Sequence, residues 1–515
     1  IAGFETCSRK MLDFATKPAE RLRKIASLFE TLHEYEVEYC HWKSNEHLAA
    51  SMRGDTDLDV LFREDERDRL ELILKELGFK KFTAVKEKQY RDIIDFLALD
   101  PGSGKIIHLH THYRLTMGEP CLKGFQFNYP IEERILSSRI YNEEFGIYCI
   151  QPAFELVLLY IREALRLRHR DTLRSAFGNR PHPNPFVMRE YQWLKIRSSQ
   201  EEIRNAITTV FAEQAEILPF VTAEFNTRAF ARLASAIKNG HGITRLYSPL
   251  TGLVLRWRRE MTLALSRYCA MILDRPMPFK RVNPRGGVVV AVVGADGSGK
   301  STVTENLMTT FGEKLDVYKI YFGRGDGKAS WMRTILQSLR GKRNRKNKNR
   351  EFAASASAAR RGGGLRLVYK CVQALLVAHE KRQNLRRMHL ARKKGALVIC
   401  DRYPQNQIMG YNDGPLLHAF HNAQSSILRA IARYEARIYA AAENSPPDII
   451  IKLVADADVV ERRKPGETAI EELRAKIDGI RKLRFKSPGR TVTVDAAKPL
   501  EDVLYTVKKE IWNTL

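Results

Sequence analysis

The clearest chemical signal in the sequence is a glycine-rich turn between an apolar run and a helical stretch. The run Val288 to Val293 is short, apolar and rich in β-branched side chains, which predicts a buried strand. The turn Gly294-Ala-Asp-Gly-Ser-Gly-Lys-Ser301 fills every position of the Gly-x-x-x-x-Gly-Lys-Ser pattern, and Thr302 to Leu307 predicts a helix. Such a turn directs backbone amides and the positive end of a helix at a phosphate. The sequence therefore predicts a phosphate-binding loop.

The side chains of this loop have distinct predicted roles. Lys300 is placed to reach the β- and γ-phosphates of a nucleoside triphosphate, and the Ser301 hydroxyl is placed to bind Mg²⁺. The predicted nucleotide-binding residues are Gly294, Ala295, Asp296, Gly297, Ser298, Gly299, Lys300, Ser301 and Thr302.

A second signal follows another apolar run. The sequence Gly-Ala-Leu-Val-Ile-Cys at 395–400 predicts a strand that delivers Asp401 at its carboxyl end, with Arg402 next. Ligands of open α/β sheets bind at that end of the strands. We therefore predict that Asp401 holds Mg²⁺ through water and that Arg402 holds a phosphoryl group.

The two signals together resemble the thymidylate kinase family. The loop and the Asp401-Arg402-Tyr403 triplet after a strand carry the resemblance, which extends over about residues 287–515. Pro447 to Leu453 resembles the next core strand of that family, Glu461 to Lys464 the start of its lid, and Thr491 to Glu501 its final strand and helix. The resemblance implies a P-loop fold with a parallel sheet between helices. It also implies phosphoryl transfer from ATP, with Mg²⁺, to a monophosphate acceptor.

The resemblance assigns roles residue by residue. Asp296 would lie beside the sugar of the acceptor, Arg402 would bind the acceptor phosphate, and Arg462 or Arg463 would close over the transferring group. The sequence departs from the family at 404–415, where the base-recognising stretch is replaced. The helix before Gly395 is also unusually basic, which makes its arginines further candidates for acceptor binding, namely Arg382 and Arg386. These departures favour an acceptor larger or more anionic than thymidylate.

The N-terminal region carries two aspartates with alternate spacing. Asp57 and Asp59 project from the same face of a predicted strand and could share a divalent metal with nucleotide phosphates. Together with the preceding Lys43-Ser44, the pair resembles the nucleotidyltransferase fold, in which a Gly-Ser turn precedes two such aspartates. Lysine stands where that family has glycine. The resemblance implies a domain that binds a nucleotide or phosphorylated ligand, and we expect its transfer activity to be lost.

A predicted hairpin supplies further polar side chains. If its turn pairs Asp100 with Lys105, Asp95 lies opposite His110 on one face, and the alternation adds His108 and His112 to that face. The third metal ligand of the fold is then either Asp95 or a histidine. The three histidines could bind a transition metal, or they are simply polar residues on the open side of a sheet.

Composition limits the class of protein. The net charge of +26 in 515 residues favours anionic partners such as nucleotides, nucleic acid or acidic membrane surfaces. Seven dispersed cysteines without a Cys-x-x-Cys pair favour a reducing compartment over a disulfide frame or a structural zinc site. No stretch predicts a membrane span and residues 1–30 lack a signal-peptide pattern, so we expect a cytoplasmic location.

We predict an α/β protein in three parts. Residues 1–150 form an α+β nucleotidyltransferase-like domain, residues 151–280 a helical extension and linker, and residues 281–515 a P-loop kinase domain. The stretch 338–364 is highly charged and predicts a flexible basic insertion. It could contact nucleic acid, although a solvated loop is commoner. A homodimer is compatible with the sequence.

The leading prediction is an ATP- and Mg²⁺-dependent kinase for a nucleoside monophosphate or related small phosphate acceptor. Two alternatives stay open. The acceptor is a sugar or another metabolite, or the chain is a nucleotide-gated regulatory protein that binds nucleic acid through its basic insertion.

Overall fold

A computed structural model describes residues 21–168, 183–211, 224–239, 242–272, 275–323, 364–408, 413–466, 469–485 and 489–515. The chain divides into two compact units, residues 1–266 and 267–515, with mixed α/β structure. Nearly all of the predicted basic insertion, 338–363, lies outside the described residues. Within the described residues, no helix combines the length and the apolar character needed to cross a membrane.

The N-terminal unit contains short strands among amphipathic helices. Its helices are α1 (Arg23–Glu34), α2 (Leu48–Met52), α3 (Arg67–Glu76), α4 (Ile131–Ser137), α5 (Pro152–Arg166), α6 (Pro185–Ile196), α7 (Gln200–Phe211), α8 (Thr227–Asn239) and α9 (Pro249–Ile272), the last of which contains the unit boundary. Its strands are β1 (Tyr39–His41), β2 (Leu58–Phe62), β3 (Lys80–Ala84), β4 (Ile93–Leu99), β5 (Ile106–His112), β6 (Phe125–Phe127), β7 (Ile140–Asn142), β8 (Ile147–Cys149) and β9 (Ile243–Arg245).

Seven of these strands lie side by side in the order β3-β4-β5-β2-β1-β8-β7. The β4–β5 hairpin is antiparallel, and Asp95 pairs with His110, which confirms the predicted register. Strand β5 then runs parallel to β2, so that Asp59 pairs with His110 from the other side. One histidine of β5 is therefore flanked by an aspartate on each neighbouring strand.

The sheet separates two apolar cores. Helices α1 and α3 cover one face, where Ile107 and Leu109 of β5 are buried. On the opposite face, Trp42 and Leu61 join a core built largely from α5, α7 and α8. The region after residue 151, expected to be helical, also contains the short strand β9, which pairs with β6. A strand of three residues has too short an alternation to be recognised in sequence.

The C-terminal unit alternates strands and helices. Its elements are β10 (Arg281–Val282), β11 (Val288–Gly294), α10 (Lys300–Gly312), β12 (Val317–Tyr321), α11 (Gly364–Lys393), β13 (Leu397–Asp401), α12 (Ser426–Glu443), β14 (Ile449–Val454), α13 (Ala457–Arg463), α14 (Ile470–Lys482), β15 (Arg490–Asp495) and α15 (Leu500–Thr514).

Five of these strands form a parallel sheet in the order β12-β13-β11-β14-β15. Every residue of β11 and β13 is buried, as expected for central strands covered on both faces. Val289, Ala291 and Val293 share a core with Leu385 and Met388 of α11. Each fully buried valine of this kind contributes about 1.5–3 kcal/mol. The apolar run thus fixes the strand from which the glycine-rich loop leaves.

Gly287, just before β11, allows a close approach of two backbone segments. Its amide donates to the carbonyl oxygen of Arg392 at the end of α11. A Cβ at this position would lie 2.6 Å from that oxygen, which is closer than van der Waals contact permits. The contact therefore requires glycine.

We expect Gly287→Ala to destabilise the protein by about 1–3 kcal/mol, because the added methyl forces the α11 end away from β11. The midpoint of thermal unfolding measures the effect. Gly312→Ala is the matched control, since nothing lies within 4 Å of a Cβ there. Equal midpoints for the two variants would contradict this account of the packing.

Candidate functional site

The glycine-rich loop joins β11 to α10 in a conformation that depends on two glycines. Gly297 has a φ angle of 85° and Gly299 one of 89°, both in the left-handed region that favours glycine. Gly299 stands directly before the first residue of α10, so the loop runs into the helix N-terminus. The loop therefore has the strand, turn and helix context that phosphate cradles require.

Gly294 is constrained by space rather than by its backbone angles. A Cβ there would lie 2.8 Å from the Leu453 carbonyl oxygen of the neighbouring strand β14 and would also collide with the Ser298 hydroxyl. That hydroxyl is buried and has no hydrogen-bond partner among the described residues. An unpaired hydroxyl inside the loop fits a cradle built to receive a polar ligand.

Lys300 is buried at the start of α10. Its Nζ donates to the Ala295 carbonyl oxygen at 2.6 Å and lies 3.9 Å from Asp296 Oδ1. Burial, with the nearby Arg402, lowers the pKa of Lys300 to about 8. The ammonium group is thus held inside the loop, and its contacts there only partly compensate for the hydration that it loses on burial.

Asp401 ends β13 beside the loop. It pairs in register with Val292 of β11 on one side and with Tyr321 of β12 on the other. Burial raises the pKa of this carboxyl group, while the charges of Lys300 and Arg402 act in the opposite direction. The charges of Asp401 and Lys300 therefore influence each other, and their joint handling of one ligand at this end of the sheet stays a prediction.

Arg402 connects the two strand ends. Its backbone has a φ angle of 70°, and its amide donates to the Val292 carbonyl oxygen. The guanidinium group pairs with Asp296 of the loop and lies 3.4 Å from Asp413 Oδ2. Burial by itself would lower the pKa of Arg402. The carboxylates of Asp413 and Asp296 outweigh it and raise the pKa, so the guanidinium group stays charged.

The contacts with Arg402 and Lys300 also determine the pKa of Asp296. Burial opposes its ionisation, but Arg402 and Lys300 prevail and lower the pKa of Asp296 to about 2. Asp296, Lys300 and Arg402 thus remain ionised together at the loop and at the end of β13. Such an arrangement can bind a polyanion by exchanging internal ion pairs for contacts with phosphate oxygens.

Two oxygen groups at this edge are suited to Mg²⁺. Ser301 is exposed on the first turn of α10, and Asp401 offers a carboxylate whose pKa burial raises. A divalent cation would compensate this carboxylate, and oxygen donors are those that Mg²⁺ prefers. The residues fit the predicted ion.

The arginines predicted from the resemblance lie elsewhere. Arg462 and Arg463 are exposed at the end of α13, where Arg463 donates to the Ala496 carbonyl oxygen at 2.8 Å. Arg382 and Arg386 are exposed on α11. In the described part of the chain, none of the four forms a hydrogen bond or an ion pair with Asp296, Lys300 or Asp401. Their assignments stay predictions.

Other charged residues near the loop were not singled out from the sequence. Asp413 holds Arg402, and its Asn-Asp-Gly-Pro setting is a turn signal that could have drawn attention to it. Lys476 of α14 is buried, and its charge contributes to lowering the pKa of Asp296. No local pattern distinguishes Lys476 from other helical lysines, so only the tertiary structure reveals it.

The N-terminal unit contains a second cluster of ionisable groups, on one face of its sheet. Asp59 Oδ1 lies 3.0 Å from Lys43 Nζ, 3.1 Å from His110 Nδ1 and 3.1 Å from His112 Nε2. Three nitrogen atoms thus converge on a single carboxylate oxygen. The lysine that stands in place of the expected glycine is the residue that pairs with the second aspartate.

The rest of the cluster extends along β5. His108 is fully buried, with Nδ1 2.9 Å from Asp57 Oδ2 and Nε2 2.7 Å from Asp95 Oδ1. Asp95 also lies 3.5 Å from His110 Nε2. Asp57 and Asp59 therefore share a face, as predicted, but Asp57 contacts His108 whereas Asp59 contacts His110 and His112.

Burial and charge set the ionisation of this cluster. Burial opposes the ionisation of Asp59, yet Lys43 and the hydrogen bonds from His110 and His112 hold its pKa well below the usual range. Burial lowers the pKa of His112 to about 3 and also lowers that of His110. The two imidazoles are therefore neutral around an ionised carboxylate.

Comparison with known proteins gives similar sequences that include YghR and YghS. YghR of Escherichia coli (strain K12), described as an uncharacterized ATP-binding protein, is 27% identical over 228 residues, covering 43% of this chain and 86% of YghR. YghS of the same strain, described in the same words, is 25% identical over 217 residues, covering 42% of this chain and 89% of YghS. No protein-family profile matches the chain.

The lowered pKa of Lys300 predicts a pH-dependent affinity for polyphosphate. Lys300 loses its charge as the pH rises through about 8, whereas the phosphates of an ATP probe, with a pKa of about 6, keep their full charge. We expect ATP affinity to be highest below pH 8 and to fall above it, approaching a factor of about ten per pH unit.

Calorimetric titration between about pH 7 and pH 9.5 measures this dependence. Lys300→Met is the control, because it should bind more weakly with an affinity that does not change over that range. A flat profile for the unsubstituted protein would show that Lys300 does not contact the phosphates.

Proposed function

We propose that the C-terminal unit is a P-loop kinase that binds ATP with Mg²⁺ and transfers its γ-phosphoryl group to a small phosphate acceptor. A nucleoside monophosphate or a related metabolite is the proposed acceptor class. One observation carries the proposal: Arg402, directly after Asp401, pairs with Asp296 inside the glycine-rich loop. A guanidinium group beside the phosphate cradle provides a place for a second anion.

The proposed division of roles follows from position. The loop amides and Lys300 would bind the β- and γ-phosphates, while Ser301 and Asp401 would hold Mg²⁺. When bound, Mg²⁺ supplies charge neutralisation between the phosphates. Phosphoryl transfer depends mostly on positioning and on such neutralisation, because little covalent chemistry is left to the protein.

Arg402 would orient the acceptor. Its guanidinium group pairs with both Asp296 and Asp413. An acceptor phosphate would accept two parallel hydrogen bonds from the planar guanidinium group. An acceptor oxygen would then form a bond to the γ-phosphorus as the bond to the β-phosphate oxygen breaks, and ADP would leave.

Two further findings support the proposal. The parallel five-stranded sheet places β11 and β13 side by side, so the loop and Asp401 share one edge. Two proteins similar to this chain are described as ATP-binding. The thymidylate kinase-like character and the acceptor class rest on the sequence motifs.

For the N-terminal unit we propose a nucleotidyltransferase-like fold that binds a nucleotide or phosphorylated ligand without transferring it. The support is that Lys43 already neutralises Asp59, which would otherwise face a metal–triphosphate complex. Metal-dependent incorporation of labelled nucleotides, abolished in the Asp57→Ala/Asp59→Ala variant, would contradict the proposed loss of transfer activity.

We expect Lys300→Ala to reduce turnover by at least about a hundredfold, because it removes a preorganised charge directed at the transferring phosphate. Acceptor-dependent ADP release measures turnover, with a panel of nucleoside monophosphates and sugars as acceptors. Circular dichroism checks that the variant is folded. An unchanged rate would place the active site elsewhere.

Arg402→Met separates acceptor binding from ATP binding. We expect the acceptor KM to rise by about tenfold or more, since a charge-assisted bidentate contact contributes about 1.5–3 kcal/mol. The calorimetric affinity for ATP should change much less. Arg382→Met, on the exposed surface of α11, tests the second acceptor-binding prediction separately: a raised acceptor KM in this variant would place the basic helix at the acceptor.

A further inference from the structure

We propose that Asp59, His110 and His112 form a binding site for a divalent transition-metal ion of the Zn²⁺, Fe²⁺ or Co²⁺ class. The site lies in the N-terminal unit and is separate from the phosphate cradle, so its test is independent of the kinase proposal. The three side chains come from two neighbouring parallel strands, and their potential ligand atoms all lie within 4.8 Å of one another.

The separations of the donor atoms suit coordination. Metal–nitrogen and metal–oxygen bonds of about 2.0–2.2 Å, at roughly 90–110°, place adjacent donor atoms about 2.8–3.6 Å apart. Asp59 Oδ1 lies 3.1 Å from both His110 Nδ1 and His112 Nε2. A metal ion would replace the hydrogen bonds between the same atoms, and the two imidazole nitrogens that would share it lie within 4.8 Å of each other.

The imidazole of His110 also has a partner on its far side. Its Nε2 lies 3.5 Å from Asp95 Oδ1, while Nδ1 faces Asp59. With Nδ1 on the ion, the ring proton stays on Nε2, where the charge of Asp95 stabilises it. Carboxylates at the outer nitrogen are common around metal-binding histidines. His112 is held differently, edge-on to the indole ring of Trp42 with ring centroids 5.1 Å apart.

The composition of the site selects the class of ion. Two imidazole nitrogens and one carboxylate oxygen suit first-row transition metals, whereas Mg²⁺ prefers oxygen donors. His110 pairs in register with Asp59. A carboxylate in place of His110 would add an oxygen donor at that position, which would suit Mg²⁺. Three protein ligands also leave coordination positions for water or a ligand oxygen.

Lys43 limits the affinity without preventing binding. Its Nζ lies 3.0 Å from the carboxylate oxygen that faces the histidines. A metal at this oxygen must displace the ammonium group or leave it to the second oxygen of the carboxylate. Lys43 has a flexible four-carbon stem, so we expect replacement of Lys43 by an uncharged side chain to tighten metal binding.

Cobalt absorption provides the test. The tag-free full-length protein is stripped with a chelator and titrated with Co²⁺, whose visible spectrum reports bound nitrogen ligands. We expect binding that Zn²⁺ reverses and that excess Mg²⁺ does not. His110→Asn and His112→Asn each remove a nitrogen donor and should weaken binding by at least about tenfold, since even removal of an outer-shell partner has that effect. Lys43→Met should strengthen binding.

The control variant is His47→Asn, because the His47 side chain is exposed and pairs with the adjacent Glu46 rather than with Asp59. It should bind Co²⁺ like the unsubstituted protein. Circular dichroism distinguishes lost binding from unfolding, and His110, which is only half-buried, provides a readout if the His112 variant does not fold. Absence of cobalt binding, equal binding by folded His110→Asn, or displacement by Mg²⁺ would overturn the proposal.

Discussion

The constraint on which the C-terminal unit depends is the burial of opposite charges at the carboxyl edge of one parallel sheet. Removing an ion from water costs several kcal/mol even after relaxation, so each buried charge needs a partner. Lys300 and Arg402 provide the cations, and Asp296 and Asp401 provide the anions. The incomplete compensation is visible in the pKa of Lys300, which burial lowers to about 8. A ligand that brings negative charge relieves this cost.

The N-terminal cluster also compensates a buried charge, but there a single anion is surrounded by several nitrogen groups. Around Asp59 the neutral imidazoles of His110 and His112 and the ammonium of Lys43 share one oxygen. There the anion is central and the nitrogen donors surround it, which suits a cation that can replace a proton or an ammonium group. We therefore propose that the C-terminal sheet edge receives phosphate and that the cluster on the N-terminal sheet receives a metal ion. Both are built where parallel strands bring distant residues into register.

The sequence predicts those features whose causes are local. The apolar run and the glycines of 294–301 establish a strand, a turn and a helix because each residue acts on its neighbours. The turn at 101–104 fixes the hairpin register, and with it the pairing of Asp95 with His110. Contacts between residues far apart in the chain have no such signal. The ion pair of Lys43 with Asp59 and the charge of Lys476 near Asp296 depend on how separate helices and strands pack.

Arg402 shows how local backbone geometry serves the site. A left-handed conformation costs a non-glycine residue about 1 kcal/mol, and it persists only where the surroundings enforce it. Here the Arg402 amide donates to Val292, and the guanidinium group is held by Asp296 and Asp413. The sharp turn after Asp401 leaves the carboxylate at the strand end and returns the next side chain to the glycine-rich loop. A straight continuation of β13 would alternate the two side chains to opposite faces, so the turn is what brings the carboxylate of Asp401 and the guanidinium group of Arg402 to one end of the sheet.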